Sequence, residues 1–309
     1  MKIAPLLLCS IILWSNAYAG GKDLEGSGLK GKVKTLKETR NWEYTKDGKP
    51  TTSFSTETIQ YNEMGQPLEI VFTSDVVVMS GIPIADDIKR QLPPLPDTSS
   101  YRTVYQYDGN GQLMKKEEYH IATQSTPSVT TEYSYDKAGK KLSELHYRNG
   151  REENREERLT KFTYNEAGRI DQAVTFYTID GGHKEFERYR YEYDAKGNKT
   201  GSFYYDYDTK TFWQDNSWVY DVKGNVIETK SYHPDGTILH SSICKYDKNG
   251  RAIEGESIDF KGTKSKTTYS YGNIDDAGNY LQATNVPEGQ YLLAKGERIK
   301  VERSIEYYR

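Results

Sequence analysis

One phrase, Thr131-Glu-Tyr133-Ser-Tyr135-Asp136-Lys-Ala-Gly139, returns along the chain and restricts what the chain can become. It alternates polar and apolar residues and then sets Asp136 three residues before Gly139, which reads as a β-strand running into a tight turn. Anchored on the tyrosine before the turn, the copies fall at Tyr61, Tyr107, Tyr135, Tyr164, Tyr193, Tyr220, Tyr246 and Tyr271. The spacings are 46, 28, 29, 29, 27, 26 and 25 residues. A period in this range marks a repeat architecture.

Two residues before the anchors stand Ile59, Tyr105, Tyr133, Phe162, Tyr191, Trp218, Cys244 and Tyr269, all apolar or aromatic. The residues between are mostly polar. Successive strand side chains point to opposite faces, so each copy ends in a strand with one aromatic and one wet face. The turn opens with Asn62, Asp108, Asp136, Asn165, Asp194, Asp221 or Asp247, and three residues on come Gly65, Gly111, Gly139, Gly168, Gly197, Gly224 or Gly250. The short side chain caps the turn's own backbone, and the glycine supplies the positive φ of a bulge as the chain re-enters the sheet. Eight residues after six of the glycines sit Tyr119, Tyr147, Phe176, Tyr205, Tyr232 and Ile258, where the returning strand ends. Asn149-Gly150, Asp180-Gly181 and Asp235-Gly236 then read as second, short hairpin turns. The eighth copy reads as irregular, with Gly272 in place of the Asp and its glycine delayed to Gly278. The expected fold is all-β, an antiparallel meander of hairpin repeats. Its sheet must curl on itself, stack or pair, because a flat sheet would leave the tyrosine face in water.

Fixed-spacing carboxylates also raise the thought of calcium. Each turn offers one carboxylate and two copies carry Asn, whereas calcium takes six to eight oxygens, so the turn role is preferred. The five histidines lie at no metal-site spacing, so no metal and no cofactor is expected. Cys244 occupies the aromatic position of its strand and reads as a packing thiol. No Gly-x-Ser-x-Gly elbow and no phosphate loop occur. No catalytic residue is assigned and the chain is not expected to be an enzyme.

Composition enters where the setting is concerned. Ile3 to Trp14 is largely apolar behind Lys2, and Asn16-Ala-Tyr-Ala19 offers a small-x-small cleavage site. Residues 1–19 therefore read as a signal peptide; the run is short for a membrane anchor, and Cys9 makes only a faint lipobox. One repeat domain over 20–309 is expected, with a non-repeat insertion at 74–100 and closing strands in 279–309. The insertion is proline-rich and reads as a loop over a sheet edge or a partner-docking segment. A net charge of −3 gives no footprint for nucleic acid, and no later segment approaches a membrane span. Cys244 alone remains after cleavage, so an internal disulfide is excluded and a bacterial export route fits best. The expected location is periplasmic or extracellular.

The phrase aromatic-x-Tyr-Asp-x-x-Gly, repeated over roughly residues 55–285, resembles the YD repeats of the Rhs family. In the larger members such repeats wind a β-sheet into a hollow shell, followed by a core domain and often a toxic C-terminal domain. The resemblance implies here a short, exported, stand-alone type in a bacterial envelope or extracellular setting. No catalytic residue carries over from it.

One window exceeds what the repeat needs: Phe203-Tyr-Tyr205-Asp206-Tyr207-Asp208, then Phe212-Trp213-Gln-Asp215. Rings beside carboxylates and amides are what a sugar-binding surface uses, although the same rings would also extend the core face. Tyr205, Tyr207, Asp208, Phe212 and Trp213 are the candidate ligand-binding residues. The expected function is a non-enzymatic binding or scaffold module with a protein or glycan partner. The alternatives are a carbohydrate-active enzyme using the carboxylates of this window, or a fragment-like relative of a toxin-encapsulating shell.

Overall fold

In a computed structural model, residues 29–46, 49–75, 99–120, 125–149, 157–179, 182–289 and 298–308 are described. The expected signal peptide, most of the 74–100 insertion and the Asp180-Gly181 turn lie outside them. The described residues form eighteen strands and no helix. In chain order they are β1 (Val33–Lys46), β2 (Lys49–Tyr61), β3 (Pro67–Ser74), β4 (Ser99–Tyr107), β5 (Leu113–Tyr119), β6 (Val129–Tyr135), β7 (Lys141–Arg148), β8 (Glu157–Tyr164) and β9 (Ile170–Ile179). Then come β10 (Gly182–Tyr193), β11 (Lys199–Asp206), β12 (Thr211–Tyr220), β13 (Val226–Tyr232), β14 (Ile238–Tyr246), β15 (Ala252–Asp259), β16 (Lys264–Ile274), β17 (Tyr280–Gly289) and β18 (Arg298–Tyr307). Contacts divide the chain into two compact units. One takes the described residues up to Val104, the stretch Tyr119–Ser125 and those from Ser265 on; the other takes Tyr105–Glu118 and Thr126–Lys264.

Strands pair antiparallel with their sequence neighbours, as a meander requires. The alternation of faces is visible in every copy. Gln60, Gln106, Ser134, Thr163, Glu192, Val219, Lys245 and Ser270 are exposed, while the residues on either side of each are covered wholly or in part.

The turns share one frame. In the copy at Asp136, the Asp136 N–H donates to the Lys140 carbonyl at 2.8 Å and the Gly139 N–H to the Asp136 carbonyl at 3.0 Å. Asp136 Oδ1 accepts from the N–H groups of Ala138 and Lys140, both at 2.8 Å. One short carboxylate thus occupies two backbone donors that strand pairing leaves over. Gly139, Gly168 and Gly197 have φ of 82°, 75° and 98°. The ladder slips by one residue just before the anchor, as at Ser134/Tyr135 and Thr163/Tyr164, which is the bulge that a glycine at positive φ creates.

Two readings of the sequence are corrected here. At the eighth copy the delay of the glycine to Gly278 holds, but Gly272 does not stand in for the turn's Asp. β16 continues past Tyr271 to Ile274, and Asp275 to Gly278 closes the ordinary frame, with the Asp275 N–H on the Asn279 carbonyl at 2.9 Å. The position of the Asp–Gly pair decides where a strand ends, not the position of the tyrosine. Likewise Asp235-Gly236 is not a two-residue turn. His233 to Gly236 and Asp259 to Gly262 close in the same four-residue frame as the others.

Within the second unit, neighbouring hairpins are tied by the anchor tyrosines. The hydroxyls of Tyr135, Tyr164, Tyr193, Tyr220 and Tyr246 donate to the carbonyls of Leu113, Lys141, Ile170, Lys199 and Val226 at 2.9, 2.7, 2.9, 2.8 and 2.8 Å. Each acceptor is the second residue after the preceding turn glycine. Long side chains add links between turns: Arg169 Nη1 reaches the Asp194 carbonyl at 2.9 Å, and Lys223 Nζ the Lys248 carbonyl at 2.8 Å.

The first unit joins the chain's first and last strands. β1 lies between β2 and β18, with Glu38 opposite both Glu57 and Arg303. Glu38 is 2% exposed; its carboxylate accepts from Arg303 Nε at 2.9 Å and Arg40 Nε at 2.8 Å. The Arg303 guanidinium lies 3.8 Å from the centre of the Tyr280 ring, whose hydroxyl burial pushes up to about 12. Buried Asn279 then spans the two ends, donating to the Lys30 carbonyl at 2.9 Å and the Tyr307 hydroxyl at 2.8 Å.

Two outcomes follow. A Cβ at Gly168 would meet only the flexible end of Lys140, at 3.6 Å, so Gly168→Val carries the left-handed backbone cost and little steric cost. It should destabilise by about 1–2 kcal/mol in urea unfolding, and by more than Lys196→Val, which leaves its turn glycine intact. Equal midpoints would remove the turn reading. In the first unit, Arg303→Met strips a partner from a buried carboxylate and should cost about 3 kcal/mol. Arg298→Met, at the exposed pair with Glu43, should cost much less, and the reverse order would refute the buried pair's role.

Candidate functional site

Register decides how the aromatic window is presented. Tyr189 of β10 lies opposite Tyr204 of β11, and Tyr204 opposite Trp213 of β12; Arg190 lies opposite Phe203, and Tyr205 opposite Phe212. Alternation then gives Tyr189, Tyr191, Ser202, Tyr204 and Trp213 one face, the tyrosine face. Arg188, Arg190, Phe203, Tyr205 and Phe212 take the opposite face.

On that opposite face the rings and guanidiniums interleave. The Tyr205 ring meets Tyr207 and Phe212 edge-on, each at 5.1 Å between centres. Arg188 lies 5.4 Å over Tyr205, and Arg190 lies 4.7 Å over Phe203 and 5.4 Å over Phe212. Glu185 orients the assembly. It accepts from Arg188 Nε at 2.9 Å and from the Tyr207 hydroxyl at 2.9 Å, and the Arg188 hydrogen bond holds its carboxyl below the usual range. Tyr207 remains 38% exposed.

On the tyrosine face, Tyr189 stacks over Tyr191 at 6.4 Å and meets Tyr204 edge-on at 5.4 Å; Tyr204 lies 5.8 Å from Trp213. The β11–β12 ladder slips at Ser202/Phe203, and the slip brings Asp215 and Asn216 together beside Ser202. Asp215 Oδ2 accepts from Asn216 Nδ2 at 2.5 Å and Ser202 Oγ at 3.4 Å. Burial pushes the Asp215 carboxyl up, and nearby Glu187 adds to the rise.

Of the five candidate residues, Tyr205, Tyr207 and Phe212 are brought together. Trp213 lies on the other face, and Asp208 is exposed in the turn between β11 and β12. That turn has its own cap: Asp206 Oδ1 accepts from the N–H groups of Asp208 at 2.8 Å and Thr209 at 3.1 Å, which hold its carboxyl down. Lys210 takes the left-handed position there, at φ 56°, without a glycine. By alternation Asp206 falls with Tyr204 on the tyrosine face, where Asp215 also lies beside Ser202, while Asp208 belongs to the turn. Sequence reasoning missed Glu185, Arg188 and Arg190. Their signal was the Arg-x-Arg at the wet positions of β10, which alternation alone could have aligned with the Phe203 and Tyr205 side of β11.

Cys244 is half-buried, opposite Gly255. Among the described residues no group of three or more His, Cys, Asp and Glu side chains is placed to hold a metal ion.

No family model matches the chain, and no curated protein matches it. Among solved structures, the chain is similar to the TcdB2-TccC3 complex with Cdc42, at 14% identity and a TM-score of 0.34. That match covers 76% of this chain and 12% of the other, so the chain spans about an eighth of it. It is also similar to a porin-like protein from Bacteroides uniformis, at 13% identity over 87% of this chain and 97% of that one, with a TM-score of 0.34. A DUF1329 family protein from Desulfovibrio piger matches at 10% identity over 89% of this chain and 86% of that one, with a TM-score of 0.18.

The raised Asp215 carboxyl has a measurable consequence. A carboxyl whose folded pKa lies above its unfolded value stabilises the fold below the unfolded pKa. That stability is lost as pH rises through the folded pKa. Asp215→Asn should therefore raise the urea midpoint at pH 7 and leave it unchanged near pH 3, where the parent carboxyl is also neutral. A lower midpoint at pH 7 would mean that the charged carboxylate is stabilising where it sits.

Proposed function

We propose that this is an exported, non-enzymatic YD-repeat protein that acts as a binding module at the bacterial envelope or outside the cell. Its partner, a protein or a glycan, is taken up on the β10–β12 face that carries Tyr205, Tyr207 and Phe212. The observation behind this reading is the presentation of those three rings beside Arg188 and Arg190 on one partly exposed face. Rings and guanidiniums in alternation offer large contact area and charged hydrogen-bond donors at low side-chain entropy cost, the composition typical of binding hot spots. The Asp206 carboxylate in the same window is occupied with its own turn. The apolar run with its cleavage signal in residues 1–19 supports export.

A second reading, a carbohydrate-active enzyme, is favoured by one observation: Asp215, raised by burial, lies with Glu187 beside Tyr204 and Trp213. The two readings separate in one set of assays. The mature protein, displayed against envelope fractions and a glycan array, should retain a partner that Tyr205→Ala weakens at least tenfold. Hydrolysis of a glycan by the parent, abolished by Asp215→Asn or Glu187→Gln, would replace the binding reading with the enzymatic one.

A further inference from the structure

At the turns that follow the anchor tyrosines, the tyrosine face of the second unit carries two cations at a position otherwise filled by apolar side chains. Two residues after the turn glycine stand Leu113, Lys141, Ile170, Lys199, Val226 and Ala252. The ammonium of Lys199 lies 4.2 Å from the centre of the Tyr191 ring and 6.0 Å from that of Trp218. The ammonium of Lys141 lies 4.4 Å from Phe162 and 5.8 Å from Tyr133. Lys141 forms an ion pair with Glu144. Lys199 has neither an ion pair nor a side-chain hydrogen bond among the described residues. Burial pushes its ammonium pKa down, and Lys141, close enough to repel it, pushes it further.

A half-buried ammonium between two rings regains part of its lost hydration from the ring quadrupoles. Ring contacts do not replace a counter-charge. Glu144 pairs with Lys141, and Glu187 and Asp215 lie near enough to act on Tyr191, so the Lys199 ammonium is the cation of this group that has no ion pair among the described residues. That suits a monoanion better than a phosphate dianion. The surroundings suit the rest of such a ligand: Tyr191 and Trp218 are both only partly covered, and their flat faces match the C–H face of a pyranose.

We propose that Lys199, with the rings of Tyr191 and Trp218 around it and Lys141 beside it, binds a carboxylated saccharide. The uronate carboxylate would rest on the Lys199 ammonium and the sugar ring against Trp218. The site lies on the opposite face of the sheet from Tyr205 and stands independently of the partner bound there.

The test is calorimetric titration of the mature protein with trigalacturonate, with its neutral counterpart galactotriose, and with acetate. Trigalacturonate should bind at least tenfold more tightly than galactotriose. Lys199→Met should remove that preference, while Lys245→Met, at an exposed position on the polar face, should leave it intact. Equal binding of the neutral sugar, or a Lys199→Met variant that binds as the parent does, would overturn the site. Acetate competing at the same concentration as trigalacturonate would also overturn it, showing a simple anion site without saccharide recognition. Should Lys199→Met fail to fold, the Lys199 Cε resonance of the parent is the second readout. Saturating trigalacturonate should raise the pKa that this resonance reports, and an unmoved pKa would refute the proposal.

Discussion

The second unit depends on one recurring hydrogen bond, from the hydroxyl of an anchor tyrosine to a carbonyl in the neighbouring hairpin. The Asp–Gly turns fix each hairpin internally, but nothing covalent joins consecutive hairpins at the turn end of the sheet. The bonds from Tyr135 to Leu113, Tyr164 to Lys141 and Tyr193 to Ile170 supply that link. Phenylalanine would fill the same space and leave the carbonyl without this partner, which explains why tyrosine occupies the anchor position. Burial pushes the hydroxyls of Tyr135, Tyr164 and Tyr193 up, so they remain donors across the physiological range. At about 1 kcal/mol each, such bonds couple a repeat to its neighbour rather than to the whole chain, as expected of a repeat array.

The first unit meets a different problem, two strands far apart in sequence, β1 and β18, whose edges must not remain open. Its solution is a strand flanked on both sides, β1 between β2 and β18, with buried charge at the centre. Glu38 held by Arg303 and Arg40 adds little net stability over an apolar packing, since desolvation offsets most of the attraction. It does penalise a shifted register heavily. Moving β18 by one residue would carry Arg303 to the other face and leave Glu38 buried with one partner fewer. Buried charge in this unit is better understood as specifying which strands pair than as raising stability.

What was legible in the sequence was local. The alternation around Tyr133 and Tyr135, and the Asp136-x-x-Gly139 turn, each need only a few consecutive residues, and they gave the all-β meander. The same locality misled at the eighth copy, where Tyr271 matched the anchor while the turn was governed by Asp275 and Gly278. Pairings that depend on register between strands were not legible. Tyr205 and Phe212 could be nominated from the window alone, but their company with Arg188 and Arg190 depends on how β10 aligns with β11. The neighbouring of β1 and β18 spans nearly the whole chain, and no short pattern records it. Lys141 and Lys199 were hidden for another reason: a single polar residue at a repeat position reads as ordinary variation until the rings around it are known.

Those lysines also show why a tyrosine-built sheet can carry a site on the face that stabilises it. A leucine core is closed and dry, and an ammonium placed in it would lose nearly all of its hydration. Here the packing rings stay partly exposed; Phe162, Tyr191 and Trp218 are none of them fully buried. A lysine among them keeps some water and gains ring faces, so the positions of Lys141 and Lys199 tolerate charge at modest cost. The property that makes the face a weak core, incomplete burial of large amphipathic rings, is the same one that leaves those rings free to contact a ligand. Stability then comes from repetition of turns and tyrosine bonds, and individual positions of the face are left open to vary in chemistry.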